Sequence, residues 1–144
     1  MATPYDTVMV SGGFDPIHVG HVRMIREAAQ HGAVVVVINS DPWLQRKKGF
    51  VFMPWEERAE VISAIEGVVA VHEVNDVDGT VCEALRRIRP THFANGGDRT
   101  NTNTPEGVVC QELGIGMLWG VGGGKVQSSS ELVHRVNHHW MDDN

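Results

Sequence analysis

The chain alternates between short, nearly continuous apolar runs and segments in which apolar positions recur every three or four residues. The run Thr7–Ser11 ends in two glycines, and the run Ala33–Asn39 is apolar at almost every position. Such runs are typical of strands that are buried on both faces of a parallel sheet. Between them, Gly20–His31 has the helical period and is followed by Gly32, a helix stop signal. We therefore predict a strand, a helix and a second strand that lies beside the first.

The same alternation continues to the end of the chain. Further strands are predicted at 68–73, 91–94 and 116–119, and further helices from near Pro54, over Val81–Ile88, over Pro105–Leu113 and along a buried stripe of Leu132, Val133, Val136 and Trp140. The helix near Pro54 is expected to carry Val61, Ile62 and Ile65 inward. Residues 42–53 have no stable period and are predicted to form a long loop. This order predicts an α/β fold, a single-domain Rossmann-like doubly wound parallel five-stranded sheet with helices on both faces.

Length and composition limit the classes of protein to which the chain can belong. With 144 residues it has the size of one domain, assigned to residues 1–144, and an apolar content of 42% excludes a disordered chain. The net charge of −6 argues against a nucleic-acid partner, because such partners require clustered Lys and Arg. No apolar run reaches the roughly 20 residues of a membrane span, and the start lacks a signal peptide. We expect a cytoplasmic protein without a membrane partner.

The segment from Gly12 to His21 lies between the first predicted strand and the first predicted helix. Its glycines allow a ligand to approach the backbone closely, and the free N–H groups of a helix start favour an anion. His18 and His21 are placed to donate hydrogen bonds to negative charge that develops on a phosphoryl group. For Asp15, a role in the ligand site and a local hydrogen bond that holds the loop both stay open. The candidate nucleotide-binding residues of this loop are Gly12, Gly13, Phe14 and Asp15.

The pattern Gly-x-Phe-Asp-x-x-His-x-Gly-His within this segment resembles the signature of the cytidylyltransferase-like nucleotidylyltransferase superfamily. The members that it resembles are glycerol-3-phosphate cytidylyltransferases and the adenylyltransferase domain of heptose-phosphate enzymes. Other segments stand in the family's order, namely Asn39–Asp41, Lys47–Gly49, Glu57–Arg58, Gly96–Asp98 and Ser128–Ser130. The resemblance implies transfer of a nucleoside monophosphate from a nucleoside triphosphate to a small phosphorylated or phosphonate acceptor, with release of pyrophosphate.

The resemblance also assigns catalytic roles. His18 and His21 would contact the triphosphate and stabilise the pentacovalent transition state at the α-phosphorus. Lys47 or Lys48 would neutralise the acceptor phosphate or the leaving pyrophosphate, and which of the two acts stays open. Arg58 would lie near the phosphates.

Two later loops are expected to complete the nucleotide site. The resemblance implies that Gly96 and Gly97 present backbone groups to the base and that Asp98 accepts a hydrogen bond from a ribose hydroxyl. A second loop ends in hydroxyls at a predicted helix start, where they cap the helix and form an anion site for the β and γ phosphates. Its candidate residues are Gln127, Ser128, Ser129 and Ser130. Glycerol-phosphate enzymes carry an arginine shortly before the hydroxyls, whereas this chain has Gly123.

Several alternatives follow from these residues. We favour CMP transfer from CTP, with ATP and a sugar phosphate such as a heptose phosphate as the alternative, because the base contacts cannot be placed from sequence. A non-catalytic nucleotide-binding sensor is a second alternative, against which the intact His18, His21, Lys48 and Ser129 argue. A fragment of an aminoacyl-tRNA synthetase is disfavoured by the length and the acidic charge.

The expected cofactor is Mg²⁺. The sequence shows no cluster of residues spaced as metal ligands. We therefore expect Mg²⁺ to enter with the triphosphate and to be held mainly by phosphate oxygens and water. The resemblance further implies a homodimer.

Overall fold

The computed structural model of the protein describes residues 6–94, 104–123 and 128–143, the last six of these by their backbone alone. Strands and helices alternate through these residues. The strands are β1 (Thr7–Gly12), β2 (Ala33–Ile38), β3 (Val68–His72), β4 (His92–Ala94) and β5 (Gly116–Leu118). The helices are α1 (Val19–Ala28), α2 (Asp41–Lys48), α3 (Trp55–Ser63), α4 (Cys82–Ile88), α5 (Pro105–Leu113) and α6 (Ser129–Asp143).

The five strands form one parallel sheet in the order β3-β2-β1-β4-β5. β1 lies at the centre, where Val8 is beside Val34 of β2 and also beside His92 of β4. The strand order reverses between β1 and β4. Ligands of such sheets bind outside the carboxyl ends of the strands at this point. The loop that follows Gly12 therefore lies where a ligand site is expected, and the segment after Ala94 lies outside the described residues.

Helices cover both faces of the sheet, because buried strand residues alternate between two core clusters. On one face, Val8 and Val10 pack with Ile25 of α1 and Ile62 of α3. On the other face, Met9 packs with residues of α4 and α5. Each fully buried apolar side chain of this size contributes about 1.5–3 kcal/mol to stability. The predicted α/β fold with a doubly wound parallel sheet is confirmed, as is the position of β2 beside β1.

The prediction of a loop over residues 42–53 is wrong for its first half, which forms α2. Ser40 precedes the helix, and its hydroxyl oxygen accepts a hydrogen bond from the Trp43 N–H at 3.1 Å. Gly49 ends the helix in the left-handed conformation, with a φ of 84°. Leu44 is the one buried side chain of this helix, so its apolar pattern is weak. The caps at both ends stabilise the helix in place of a larger buried face. The basic residues of this segment therefore stand on a helix.

One predicted buried position of α3 is wrong. Val61 is 41% exposed, whereas Ile62 is fully buried. The helix turns Arg58 and Ile62, four residues apart, toward the interior.

The buried stripe predicted for α6 is wrong at Val136, which is 62% exposed. Leu132 and Val133 are half-buried, and the side chain of Trp140 lies outside the described residues. Within the described parts of the chain, no helix is both long and apolar enough to span a membrane.

Candidate active site

The loop between β1 and α1 forms the centre of the candidate site at the carboxyl end of the sheet. Phe14 adopts a positive φ of 53°, and its ring is 2% exposed. That ring meets the His21 ring edge to face, with 4.8 Å between the ring centroids. A Cβ atom at Gly13 would approach Leu44 of α2 to 3.0 Å, which is tighter than ordinary van der Waals contact. Glycine at this position therefore allows α2 to lie directly against the loop.

The two histidines cap the helix that carries them. His18 is the N-cap residue of α1, and its Nδ1 accepts a hydrogen bond from the Gly20 N–H at 3.1 Å. The His21 Nδ1 accepts one from the His18 N–H, also at 3.1 Å. Imidazoles thus take the positions that a hydroxyl or carboxamide and a glutamate usually occupy in a capping box. This local pairing fixes both rings at the N-terminus of α1.

The same bonds define which nitrogen of each ring carries the proton. A ring nitrogen that accepts an N–H bond is unprotonated, so each neutral ring carries its proton on Nε2. The rings are stacked with their centroids 3.8 Å apart. Burial, followed by the charges of His18 and Lys48, lowers the pKa of His21 from 6.5 to about 3. His21 is therefore a neutral imidazole at pH 7 whose proton is on Nε2.

Asp15 is a fully buried carboxylate that holds the segment between α2 and α3. Its Oδ2 accepts from the Phe52 N–H and its Oδ1 from the Met53 N–H, both at 2.6 Å. Hydrogen bonds to an ionised carboxylate are roughly twice as strong as neutral ones. These bonds give Asp15 a structural task, but they are tertiary rather than the local hydrogen bond that the sequence left open, since their donors lie 37 and 38 residues later in the chain.

Of the two candidate lysines, Lys48 is the one whose ammonium contacts the glycine loop. Its Nζ donates to the backbone oxygen of Asp15 at 3.2 Å, and burial of the ammonium is the main cause that lowers the pKa of Lys48. Lys47 is exposed, and its Nζ lies 5.6 Å from the centroid of the Trp43 ring. Lys48 therefore stands nearer to the histidines, and Lys47 stands on the outer surface of α2.

Arg58 is fully buried, and its guanidinium is bound by the protein itself. It donates to the backbone oxygens of Gly13 at 2.7 Å, Asn39 at 2.9 Å and Met53 at 2.9 Å, and to the Asp41 carboxylate at 2.5 Å. These bonds use four of the five N–H donors of an arginine. The sequence placed Arg58 near the phosphates; in the structure most of its donors bind buried backbone oxygens, which would be left unpaired if those bonds were lost. Arg58 is placed to join the ends of β1 and β2 to the start of α3.

Sequence reasoning missed a second buried carboxylate, Asp76, which is 3% exposed. Its Oδ1 accepts from the Ser40 hydroxyl at 2.6 Å, and its Oδ2 accepts from the Ser40 N–H at 2.9 Å and the Asn39 amide at 3.1 Å. Its backbone oxygen accepts from the Arg46 guanidinium at 2.9 Å. Asp76 therefore fixes the N-cap of α2 and, through Arg46, a residue of its last turn.

The helix start predicted at the serines is confirmed. The Ser128 hydroxyl oxygen accepts from the Glu131 N–H at 3.3 Å, and α6 begins at Ser129. The Ser129 hydroxyl donates to the backbone oxygen of Pro16 at 2.7 Å. This bond joins the start of α6 to the glycine loop, and Ser130 is exposed.

The loop before these serines is tied to α1 by Glu27, a contact that sequence reasoning also missed. The Glu27 carboxylate accepts a short hydrogen bond from the Gly122 N–H. Gly122 has a φ of 94°, and a Cβ atom there would lie 3.0 Å from the Cα of Met24. Glycine is therefore required both by the backbone conformation and by the close approach of α1.

Part of the predicted site lies outside the described residues. Gly96, Gly97, Asp98 and Gln127 belong to this part, so their contacts with the nucleotide stay predictions. Among the residues that are described, no three side chains of His, Cys, Asp or Glu converge as they would to hold a metal ion.

Comparison with known proteins gives a family match over most of the chain. The family described as cytidylyltransferase-like matches residues 9–113. The chain is 34% identical over 111 residues to the bifunctional protein HldE of Pelobacter propionicus. This match covers 74% of this chain and 21% of that protein. It is also 32% identical over 96 residues to the FAD synthase of Pyrococcus abyssi. This second match covers 64% of this chain and 63% of that protein. The match thus spans about a fifth of the HldE protein.

A solved structure is similar in fold. The lipopolysaccharide core biosynthesis protein from Thermoplasma volcanium superimposes with a TM-score of 0.66, over 79% of this chain and 93% of that one. The sequence identity is 22%. This likeness concerns the α/β architecture alone.

Proposed function

The chain belongs to the cytidylyltransferase-like family, and from that membership we propose that it transfers a nucleoside monophosphate from a nucleoside triphosphate to a small phosphorylated acceptor. One observation carries the proposal. His18 and His21 are fixed by their Nδ1 atoms at the start of α1, so that Nε2 is the donating atom of each neutral ring. Two oriented donors beside a helix N-terminus suit a phosphate whose negative charge increases during the reaction.

The proposed reaction is an in-line displacement at the α-phosphorus. An oxygen of the acceptor phosphate forms the new P–O bond, and the bond from the α-phosphorus to the bridging oxygen breaks. Pyrophosphate leaves with the electron pair. Since the second pKa of a phosphate monoester is about 6, the acceptor is already largely ionised at neutral pH and needs no general base. Catalysis is then positioning and charge stabilisation.

The chain's own residues supply this positioning. The Nε2–H groups of His18 and His21 donate to oxygens of the α-phosphoryl group. The ammonium of Lys48 neutralises the acceptor phosphate or the leaving pyrophosphate. Asp15 and Arg58 act as positioning residues, because Asp15 fixes the main chain of Phe52 and Met53 after α2, and Arg58 binds both the glycine loop and Asp41 at the start of α2. Donors held in place before the reaction require no reorganisation in the transition state.

For the nucleotide, the relatives shift the preference from CTP to ATP. The product in the name of the archaeal FAD synthase contains an adenylate, and the match to this protein covers similar shares of both chains. The resemblance of the Asn39–Asp41 and Gly96–Asp98 segments to heptose-phosphate adenylyltransferases supports the same choice. We therefore propose AMP transfer from ATP first and CMP transfer from CTP second.

The remaining parts of the proposal follow the sequence expectations. Mg²⁺ would enter with the triphosphate and neutralise its charge, held mainly by phosphate oxygens. The start of α6 at Ser128 and Ser129 would face the β and γ phosphates. A homodimer and a cytoplasmic location belong to the proposal as well.

The test is pyrophosphate release. The protein is incubated with Mg²⁺, each of the four nucleoside triphosphates in turn and a panel of phosphorylated acceptors, and a His18→Asn variant serves as the background. We expect release above that background with ATP and at least one acceptor. Nucleotide binding without release in any combination would overturn the proposal and favour a sensor.

A further inference from the structure

Glu27 stands at the end of α1 that is opposite to the two histidines. It lies in the last turn of the helix, where a negative charge is unfavourable because the C-terminal end of the helix dipole is itself negative. It follows His21 by six positions, which corresponds to about 9 Å along the helix axis. Any effect of Glu27 on the candidate site must therefore pass through another segment.

That segment is the connection between β5 and α6. The Glu27 carboxylate accepts a hydrogen bond from the N–H of Gly122, which lies 95 residues later in the chain. Val121, the preceding residue, is 4% exposed and belongs to the same buried core as Ile25 of α1. A Cβ at Gly122 would lie 3.0 Å from the Cα of Met24. The first part of the connection is thus held against α1 by packing and by a hydrogen bond to a charged group.

The connection meets the glycine loop at its other end. The Ser129 hydroxyl donates to the backbone oxygen of Pro16 at 2.7 Å, two residues before His18. The two attachments therefore bound a short stretch, residues 123–128, of which 124–127 lie outside the described residues. A short stretch that is fixed at both ends has fewer conformations than one that is fixed at a single end. The bond from Glu27 thus limits the positions that the start of α6 can take.

We propose that Glu27 is a positioning residue for the triphosphate. By holding Gly122 against α1, it ties the start of α6 to the same helix that carries the two histidines. Donors for the β and γ phosphates are then in place before the nucleotide binds, whereas the contacts of the histidines with the α-phosphate do not depend on this connection. The inference rests on the proposed function, in which Ser128 and Ser129 face the β and γ phosphates.

Nucleotide binding without an acceptor tests the inference. A triphosphate and its monophosphate share the base, the ribose and the α-phosphate, so the ratio of their affinities reports on the β and γ phosphates. ATP and AMP, and likewise CTP and CMP, are titrated calorimetrically with Mg²⁺ into the wild type, Glu27→Ala and Glu27→Gln. Glu60→Ala is the matched control, because Glu60 is an exposed carboxylate near the end of α3.

We expect the wild type and Glu60→Ala to bind at least one triphosphate more tightly than its monophosphate. In Glu27→Ala this ratio should fall about three- to tenfold, the range that corresponds to the loss of one hydrogen bond. The affinity of Glu27→Ala for the monophosphate should stay within about twofold of the wild type, which also shows that the variant is folded. The carboxamide oxygen in Glu27→Gln can still accept from the Gly122 N–H, so this variant should keep the wild-type ratio.

The direction of the change separates positioning from charge. Because Glu27 is negative, a purely electrostatic role predicts that both substitutions tighten the binding of a triphosphate. Tighter binding in both variants would therefore overturn the inference. So would an unchanged ratio in Glu27→Ala, an equal loss of triphosphate and monophosphate affinity, or the same fall in Glu27→Ala and Glu27→Gln.

Pyrophosphate release distinguishes the failure of this inference from that of the proposed function. Release by the wild type, together with a ratio that Glu27→Ala leaves unchanged, removes the inference alone. The expected fall of the ratio without release under any condition removes the proposed reaction alone. A wild type that binds neither triphosphate would remove both.

Discussion

The main-chain N–H of His18 donates to Nδ1 of His21 at 3.1 Å, so the second histidine of the motif closes the turn that the first one opens. The Gly20 N–H makes the corresponding bond to His18, also at 3.1 Å. Each ring therefore has two tasks on two different atoms. Nδ1 caps the helix, and Nε2 carries the proton of the neutral ring.

Substitutions at His18 should separate these tasks. Asn places an oxygen where Nδ1 stands and keeps the cap, whereas Gln places a donor near the position of Nε2 and loses the cap. We expect His18→Asn to change the free energy of unfolding by less than about 0.5 kcal/mol and to lower turnover on the order of a hundredfold to a thousandfold. His18→Gln should lose about 1 kcal/mol of stability and keep more activity than His18→Asn.

Urea unfolding and pyrophosphate release measure the two effects on the same preparations. If His18→Asn turned over as fast as the wild type, the Nε2–H of His18 would have no catalytic task. If His18→Asn and His18→Gln were equally stable, the Nδ1 of His18 would not stabilise the helix as a cap.

The lowered pKa of His21 predicts a specific dependence of stability on pH. The folded protein keeps this ring neutral down to about pH 3, whereas the unfolded chain binds a proton below the ordinary value of 6.5. Since the unfolded state then holds more protons, the stability contributed by the neutral ring is fully present above pH 6.5 and is lost as the pH falls toward about 3. The slope is at most about 1.4 kcal/mol per pH unit.

Denaturant titrations between pH 4 and pH 7 check this slope in the wild type and in His21→Asn, which keeps an acceptor for the cap. The slope should be smaller in His21→Asn and unchanged in His31→Gln, a substitution of an exposed histidine. Parallel curves for the wild type and His21→Asn would contradict the assignment.

Asp15→Asn should destabilise the protein, because the carboxamide has one oxygen for two N–H donors that now share a carboxylate. One buried N–H is then left unpaired, at about 1–3 kcal/mol. The midpoint of urea unfolding measures the loss. Glu66→Gln, which neutralises an exposed carboxylate, is the control and should leave the midpoint nearly unchanged.

Arg58→Lys should be far more harmful than the same exchange at an exposed position. A single ammonium cannot serve the backbone oxygens of Gly13, Asn39 and Met53 together with Asp41. We expect a loss on the order of 3 kcal/mol in the free energy of unfolding. Arg86→Lys, whose partner Glu112 is also exposed, should lose less than about 0.5 kcal/mol. A similar loss in both variants would show that burial of Arg58 has no special effect.

Ser40 and Asp76 should behave as one unit. Ser40→Ala removes both the cap of α2 and the hydroxyl that donates to Asp76. In a double-mutant cycle of Ser40→Ala and Asp76→Ala, we expect the free energies of unfolding to differ from additivity by about 0.5–3 kcal/mol, as for residues in direct contact. Additive losses would mean that their contact does not hold α2.

The framework was predictable because its signals are local. Continuous apolar runs predict the strands of a parallel sheet, and the predicted limits of α5, Pro105 and Leu113, are those of the structure. α2 was missed for the opposite reason: its apolar pattern is weak, and its stability depends on the caps Ser40 and Gly49. These two residues are the local signals of the helix.

The candidate site also contains some residues with local sequence signals and others whose partners are distant in the chain. The glycine loop and the histidines are contiguous, so their chemistry is legible in the sequence. The buried carboxylate of Asp76 has no local signal, because its partners lie 36 and 37 residues earlier in the chain. The charge of Arg58 is also legible, but its burial depends on three carbonyl groups from different segments. Residue types could be predicted, whereas tertiary partners could not.

The strand order divides the sheet into two parts that meet between β1 and β4, a boundary that we call the seam. Residues 7–72 build β1, β2 and β3, residues 92–118 build β4 and β5, and the two stretches meet where Met9 lies beside Phe93. The histidines come from the first stretch and Ser129 from beyond the second, joined across the seam by its bond to Pro16. A gene divided within codons 73–81 would therefore encode two complementary halves, and recovered activity would report their reassembly.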